Sequence, residues 1–257
     1  MSLRVDLNSD MGEGFGPWKM GDDAAMLDIV TSANVACGFH AGDPVIMTET
    51  ARLAAARGVA IGAHPSFMDL WGFGRRQIRG DSPADIEKFI AYQIGALQAT
   101  AALAGHRVTH VKAHGALSNM ASVEADLALA IGRAIKAVDR DLIYVVMPAT
   151  ELARAGEALG LRCANEIFAD RAYMDDGTLM PRKLPGSMIH DKDFAAARVV
   201  EMVTDRALRS AGGKRIPISV DTICVHSDSA DAVEMARAVK AALLAAGIAV
   251  RPMHETA

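Results

Sequence analysis

A chain of 257 residues, 51% hydrophobic but only 5% aromatic, can bury one large core filled by Ala, Val, Ile, Leu and Met. A net charge of −4 with no long basic run argues against a nucleic-acid partner. Three scattered cysteines without CxxC spacing exclude a disulfide framework and a thiolate zinc site, and no apolar run reaches the roughly 18 residues of a membrane span. The acidic N-terminus carries no signal-like apolar run, so a soluble, cytoplasmic protein is expected.

Short β-branched runs alternate with Ala/Leu-rich helical runs along the chain. RVDLN (4–8) predicts a first strand, and a helix follows near 21–33, with Asp22 and Asp23 at its positive end. NVACGF (34–39) is a strand, and 43–57 a helix punctuated by Pro44 and Gly58. VAIGAH (59–64) is the third strand, and a loop with Arg75 and Arg76 covers 65–81. Ser82 caps a helix that starts at Pro83 and runs to Gly105. THVKAHG (109–115), DLIYVVMP (141–148) and LRCANEIF (161–168) are strands, separated by helices at 122–138 and 150–159. A polar segment, 169–187, has room for a small hairpin or lid. Helix 193–211, strand DTICVH (221–226), helix 229–246 and an extended piece at 248–253 complete the series. Repeated βα units imply parallel strands and right-handed crossovers. The expectation is one α/β domain over residues 1–257: a closed or nearly closed (β/α)7 TIM-like barrel, with an eighth strand open at 248–253.

Polar groups recur at one end of these strands. The first leads into Asn8, Asp10 and Glu13, the second ends at His40, the third at His64, and the fourth at Lys112 and His114. The sixth ends near Glu166 and Asp170, the seventh at His226 and Asp228. In a parallel barrel these ends share one rim, where such folds carry their active sites. His110, Lys112 and His114 alternate on one face, with His110 deepest and structural. Lys112 inside a barrel needs an anion, either Asp6 or Asp10 or a bound phosphate. Asp43 opens a helix that can cradle an anion, and Arg75, Arg76, Arg171 and Arg182 are positioned in loops to hold a carboxylate. No G-x-x-x-x-G-K-[ST] loop occurs. Trp18 and Trp71 lie in loops beside the rim, as pocket walls or subunit contacts; Met202, Met235, Leu243 and Leu244 are core or a homo-oligomer interface.

VDLNSDMGEGFG, TSANVACGFHAGDP, GVAIGAHPSFMD, HVKAHGAL, EIFADRAYMDDGTLMPR and ICVHSD together resemble the LamB/YcsF family, in order and from about residue 4 to the C-terminus. The resemblance implies the irregular seven-stranded barrel of the glycoside hydrolase/deacetylase type. It also implies an activity: opening of 5-oxoproline to glutamate with hydrolysis of ATP (with Mg), by a chain acting beside separate subunits B and C. On that reading Asp10, Glu13, His40, His64, Lys112 and His114 are catalytic. Asn8, Asp43, Arg75, Arg171, His226 and Asp228 bind substrate. Asp10, His40 and His64 are the expected ligands if a divalent metal is held. Ser118, Ala172 and Ser227 depart from the family's usual Tyr, Gly and Gly, near the rim. Two other readings stay open: a stand-alone metal-dependent amidohydrolase or deacetylase, and a non-catalytic substrate-binding subunit.

Overall fold

Strand β1 (Arg4–Met11) alternates Val5, Leu7 and Met11 with Asp6, Asn8 and Asp10, and all six are buried. With period 2, its two faces must each meet a packed layer. The apolar set joins the main hydrophobic core under the helices. The polar set turns inward, where Asp6 and Asn8 meet Ser32, Asn34 and Thr222 across the sheet. This inner polar face is what the closed sheet has to accommodate.

The computed structural model describes residues 3–229 and 231–256. After β1 come α1 (Asp23–Leu27), β2 (Ser32–Ala36), α2 (Pro44–Arg57), β3 (Ala60–His64) and α3 (Pro83–Leu103). Then follow β4 (Val108–Val111), α4 (Gly115–Ala121), α5 (Ala125–Val138), β5 (Ile143–Val146), α6 (Glu151–Leu159) and β6 (Cys163–Phe168). The last third holds α7 (Lys192–Asp205), β7 (Ala207–Arg209), β8 (Arg215–Pro217), β9 (Thr222–Cys224), α8 (Ala232–Ala245), β10 (Ala249–Val250) and α9 (Met253–Thr256). Strands β1 to β6 pair in order, all parallel, and β9 closes the ring on both β6 and β1. The seven-stranded parallel barrel is therefore as expected. The extended piece at 248–253 is not a full eighth stave: β10 pairs only with Arg4 and Val5.

Several boundaries differ from those read in the sequence. The helix near 21–33 is a short α1, because Ser32 and Ala33 are taken into β2 against Asn8 and Ser9. The helix expected over 122–138 is preceded by a separate α4. The helix expected over 193–211 stops at Asp205, where Arg206 turns left-handed (φ 47°). Residues 207–217 then form the antiparallel hairpin of β7 and β8. The segment 169–187 holds a small antiparallel turn, with Tyr173 bridged to Leu179 and Met174 N donating to Thr178 O at 2.8 Å, on an arm that a further bridge ties from Arg171 to Met188. Met202, Met235 and Leu243 are core, and Leu244 is exposed.

Gly62 on β3 shows how the interior is filled. A Cβ there would stand 2.1 Å from the His110 ring, so only glycine lets that imidazole lie across the barrel. His110 Nε2 reaches Asn34 Oδ1 at 2.9 Å. Asn34 Nδ2 in turn donates to Asn8 Oδ1 and Asp10 Oδ1 at 2.7 and 2.8 Å. Beneath them Asp6 accepts from Thr31, Ser32 and Thr222. Burial lifts the Asp6 carboxyl to about 6 and drops His110 to about 3. The barrel interior is thus a hydrogen-bonded polar stack, and the apolar core lies outside it.

Candidate active site

Above the stack, Lys112 follows directly on β4. Its Nζ lies 2.9 Å from both Asp10 Oδ1 and Glu166 Oε1, and 3.0 Å from Cys224 Sγ. Burial alone would lower its pKa, but Asp10, Cys224 and Glu166 outweigh burial and hold it well above the ordinary lysine value. Asp10 is likewise kept ionised: burial opposes this, and His64 and Lys112 prevail. The alternative partner, Asp6, is bound lower down to hydroxyls. The expected anion for Lys112 is therefore Asp10, with Glu166 added.

Next to this pair stand three imidazoles and a carboxyl. His64, the last residue of β3, places Nδ1 2.7 Å from the Lys112 carbonyl. His114, the N-cap residue of α4, places Nε2 2.9 Å from the Phe73 carbonyl. A carbonyl only accepts, so each of those nitrogens carries the proton. The remaining nitrogens, His64 Nε2 and His114 Nδ1, then present lone pairs to each other at 3.0 Å. Gly74 (φ +64°) makes this possible by turning the 72–76 loop so that the Phe73 carbonyl faces His114; a side chain there would strike Ser66 and His114.

His40 stacks on His114 with ring centroids 3.9 Å apart. Neither of its ring nitrogens has a hydrogen-bond partner, and neither does Glu13 Oε1, among the described residues. Glu13 Oε1 lies 3.5 Å from His40 Nε2 and 3.6 Å from His114 Nδ1. Burial, then the charges of Asp10 and Asp228, pushes the Glu13 carboxyl well above its usual range. Burial, then the neighbouring imidazoles, keeps His40 and His114 well below theirs. Two facing lone pairs, a His40 ring with neither its N–H nor its lone pair engaged, and an unpartnered carboxyl oxygen form a knot with room for a proton or a cation.

The donor set fits a divalent ion. Glu13, His40, His64 and His114 each offer one ligand atom, all within 4.8 Å of one another. Neutral imidazoles with a carboxylate suit Zn²⁺ and its first-row neighbours. The ligand triad expected from the sequence is Asp10, His40 and His64. The structure brings His40 and His64 together, but Glu13 is the carboxyl beside them. Asp10 is bound to Lys112 and groups with Cys224 and His226, although its Oδ2 still lies 3.3 Å from His64 Nε2.

A cavity of about 660 Å³ opens on the His64 and His114 imidazoles of this knot and is also lined by Asp10 and Lys112. Arg75, Phe168, Arg171, Arg182, Lys183 and His226 complete its lining. Arg75 is held by Asp228 and rests over the Phe73 ring, 4.9 Å from its centroid. His226 Nδ1 meets Asp170 at 2.7 Å and stacks on Phe168. Two expected substrate contacts lie elsewhere. Asn8 is fully buried below Lys112, its amide engaged by Glu166, Thr222 and Asn34. Asp43 is the N-cap of α2 and also accepts from Gly16 N, so both its oxygens serve the backbone. On the far side of His40, Trp18 (70% exposed) and Trp71 (96% exposed) border a second, mostly apolar cavity of about 440 Å³ that also touches Glu13.

Seven parallel strands ringed by helices, with acid–base side chains and a cavity at one rim, define the class: an α/β-barrel protein whose site is equipped for hydrolytic chemistry. Within that class the chain belongs to the LamB/YcsF family, which it matches over residues 5–257. It is 59% identical over 248 residues to the 5-oxoprolinase "A" component of Rhodopseudomonas palustris (strain BisA53), covering 96% of this chain and 97% of that one. The crystal structure of a lactam utilization protein from Thermus thermophilus superposes with a TM-score of 0.91 at 44% identity, over 97% of this chain and 99% of that one. A family 4 carbohydrate esterase from Streptomyces lividans, in complex with acetate, reaches a TM-score of 0.51 at 11% identity, over 96% of this chain and 91% of that one. That last likeness is one of fold, and it agrees with the deacetylase-type barrel expected from the motifs.

Proposed function

We propose that this chain opens the ring of 5-oxoproline to give glutamate, as the A component of a cytoplasmic, ATP-coupled 5-oxoprolinase that works with separate subunits B and C. The observation that carries the reading is a cavity lined by Asp10, His64, Lys112 and His114 together with arginines, with His40 and Glu13 packed against the same imidazoles. The names of the relatives supply the substrate class.

A lactam is a resonance-stabilised amide, so opening it requires a base for water, an acid for the ring nitrogen, and positive charge for the carbonyl oxygen. His64 Nε2, with its other nitrogen locked on the Lys112 carbonyl, is the base. The Glu13 carboxyl, protonated through burial, is the acid. Lys112 keeps its charge beside the cavity and stabilises the developing oxyanion. Arg75 or Arg171 takes the substrate carboxylate, and His226, oriented by Asp170, lines the same cavity. A divalent ion held by Glu13, His40, His64 and His114 would polarise the carbonyl and acidify water; Glu13 would then be a ligand and the proton would come from elsewhere in the pocket. ATP and Mg enter as the coupling reagent, and the relatives' naming as a subunit supports the multi-subunit assembly.

The test is reconstitution of the full chain with its two partner subunits and measurement of glutamate formed with and without ATP. His40→Ala and His64→Ala are expected to abolish turnover while leaving assembly intact; unimpaired turnover in both would remove the assignment. The metal-ready donor set favours one second reading, a stand-alone amidohydrolase or deacetylase. Release of amine or acetate by the chain alone, without ATP, would select it.

A further inference from the structure

The charges around the cavity do not balance. Asp10 and Glu166 share Lys112, Asp170 holds His226, and Asp228 holds Arg75. Lys112 stands against two carboxylates, which leaves one negative charge over, while three cations that line the same cavity have no carboxylate partner among the described residues, so positive charge is in excess. Arg171 is only 3% exposed; its Nη2 donates to the Met180 carbonyl at 2.7 Å, and its Nε has no partner among the described residues. Arg182 and Lys183, at the mouth, form no ion pair with any described carboxylate, and Arg182 makes only a 3.4 Å contact from Nη1 to the Met188 sulfur. All three line the cavity. Burial, then the charge of Arg182, brings the Arg171 guanidinium down to about 10. A guanidinium taken out of water without a counterion is costly, and an anion relieves that cost.

The arm that carries these residues is braced. Ala172 N donates to Ser187 O at 3.0 Å, and Met180 N donates to Ala172 O at 2.9 Å. The Tyr173 hydroxyl accepts from Phe168 N at 2.7 Å, tying the arm to the end of β6. The cations are therefore preset rather than gathered by a ligand. With the substrate carboxylate on Arg75, all three remain, two of them planar forks suited to bidentate oxyanions. A five-membered lactam also fills only part of a cavity of about 660 Å³.

We propose that Arg171, Arg182 and Lys183 form a second anion subsite that takes a phosphoryl group, beside the place for the substrate carboxylate. This rests on the lactam-opening reading and extends it to the ligand class: a carboxylate and a phosphoryl dianion share one cavity. The phosphoryl group is borne either by an activated lactam or by the end of a nucleotide.

The probe is inorganic phosphate, titrated calorimetrically into the isolated full-length chain with acetate as the comparison. Phosphate is expected to bind more tightly than acetate. Arg182→Gln combined with Lys183→Gln, both at exposed positions, is expected to weaken it about tenfold or more, with an unchanged melting temperature. Phosphate binding no tighter than acetate, or unaffected by the double substitution, overturns the subsite. Displacement of bound phosphate by 5-oxoproline also overturns it, since one place would then serve both anions. If phosphate stays when 5-oxoproline is added and a non-hydrolysable ATP analogue does not compete, the subsite stands and its ligand is lactam-borne. If the analogue displaces phosphate, the subsite stands and its ligand is a nucleotide. None of these readouts needs turnover. Phosphate binding without glutamate formation by the reconstituted enzyme would sink the lactam reading and leave the subsite in place.

Discussion

The barrel holds two groups of buried polar side chains, one above the other, built from the same residue types. In the lower group, Asp6, Asn8, Asn34, His110 and Thr222 answer one another's hydrogen bonds across strands. In the upper group, Glu13 Oε1 and both nitrogens of His40 have no partner among the described residues, and two imidazole lone pairs face each other. Burial and residue type are alike, so neither distinguishes structure from chemistry. Satisfaction does: the lower group spends its polar atoms on the fold, and the upper group holds them in reserve.

Truncating one side chain in each group puts this contrast under the greatest strain. His114→Ala should cost the reconstituted enzyme roughly 10²–10⁴-fold in rate, with little change in melting temperature, because no fold-bearing hydrogen bond but one to Phe73 is lost. Asn34→Ala below it should do the reverse, lowering stability while sparing catalysis in what remains folded. Equal effects of the two on stability would erase the distinction.

Lys112 belongs to both groups and tests their boundary. Lys112→Met leaves Asp10 and Glu166 facing each other without a cation, and should cost about 3–5 kcal/mol in urea unfolding. A loss of activity with full stability would instead make Lys112 purely a member of the upper group.

Acid probes the lower group by itself. His110 has a native pKa of about 3, against about 6.5 when unfolded, so only the unfolded chain binds its proton between those values. Its contribution to stability is complete above pH 6.5 and is lost as pH falls toward 3, with a ceiling of about 5 kcal/mol. Asp6 acts in the opposite direction: its native pKa of about 6 lies above 3.8, so it favours the fold as pH falls through that window, by a smaller amount. Between pH 6 and 3.8 the two nearly cancel, so the parent's urea midpoint should change little there, whereas His110→Gln, which leaves Asp6 unopposed, should make it rise as pH falls. A His110→Gln profile as flat as the parent's would mean that His110 is not held neutral.

Metal added to the upper group should have the mildest consequence. Zn²⁺ or Mn²⁺ at a hundredfold over its dissociation constant should add about 2.7 kcal/mol, read as a rise in melting temperature that a chelator reverses. Glu13→Gln should reduce the rise and Asn34→Ala should not.

The ring of strands is legible in the sequence because each strand is short, apolar on its outer face and followed by a helix with clear punctuation. The rim residues are legible for the same reason: His64 ends β3, Lys112 follows directly on β4, and His114 and His40 lie three and four residues past the ends of β4 and β2. Asp43 serves the backbone, and Asp before Pro44 is itself a capping signal: its oxygens accept from Val45, Ile46 and Gly16. Asn8 escapes a reading of the sequence for a different reason. Whether it faces substrate or neighbours depends on the register that sets it against Ser32 and Cys224, and register is not written in any one strand. The same holds for Glu13 replacing Asp10 beside His40. The hairpin of β7 and β8 is hidden because Arg206, a good helix former, ends α7 through its backbone and not its side chain.

Asp6 lies in register with Thr222, so the first and last staves of the barrel meet across more than two hundred positions of chain. During synthesis the ribosome delivers Asp10, His40, His64 and Lys112 long before β9 exists to seal the ring around them. The pocket therefore comes into being only once β9 has joined β6 to β1.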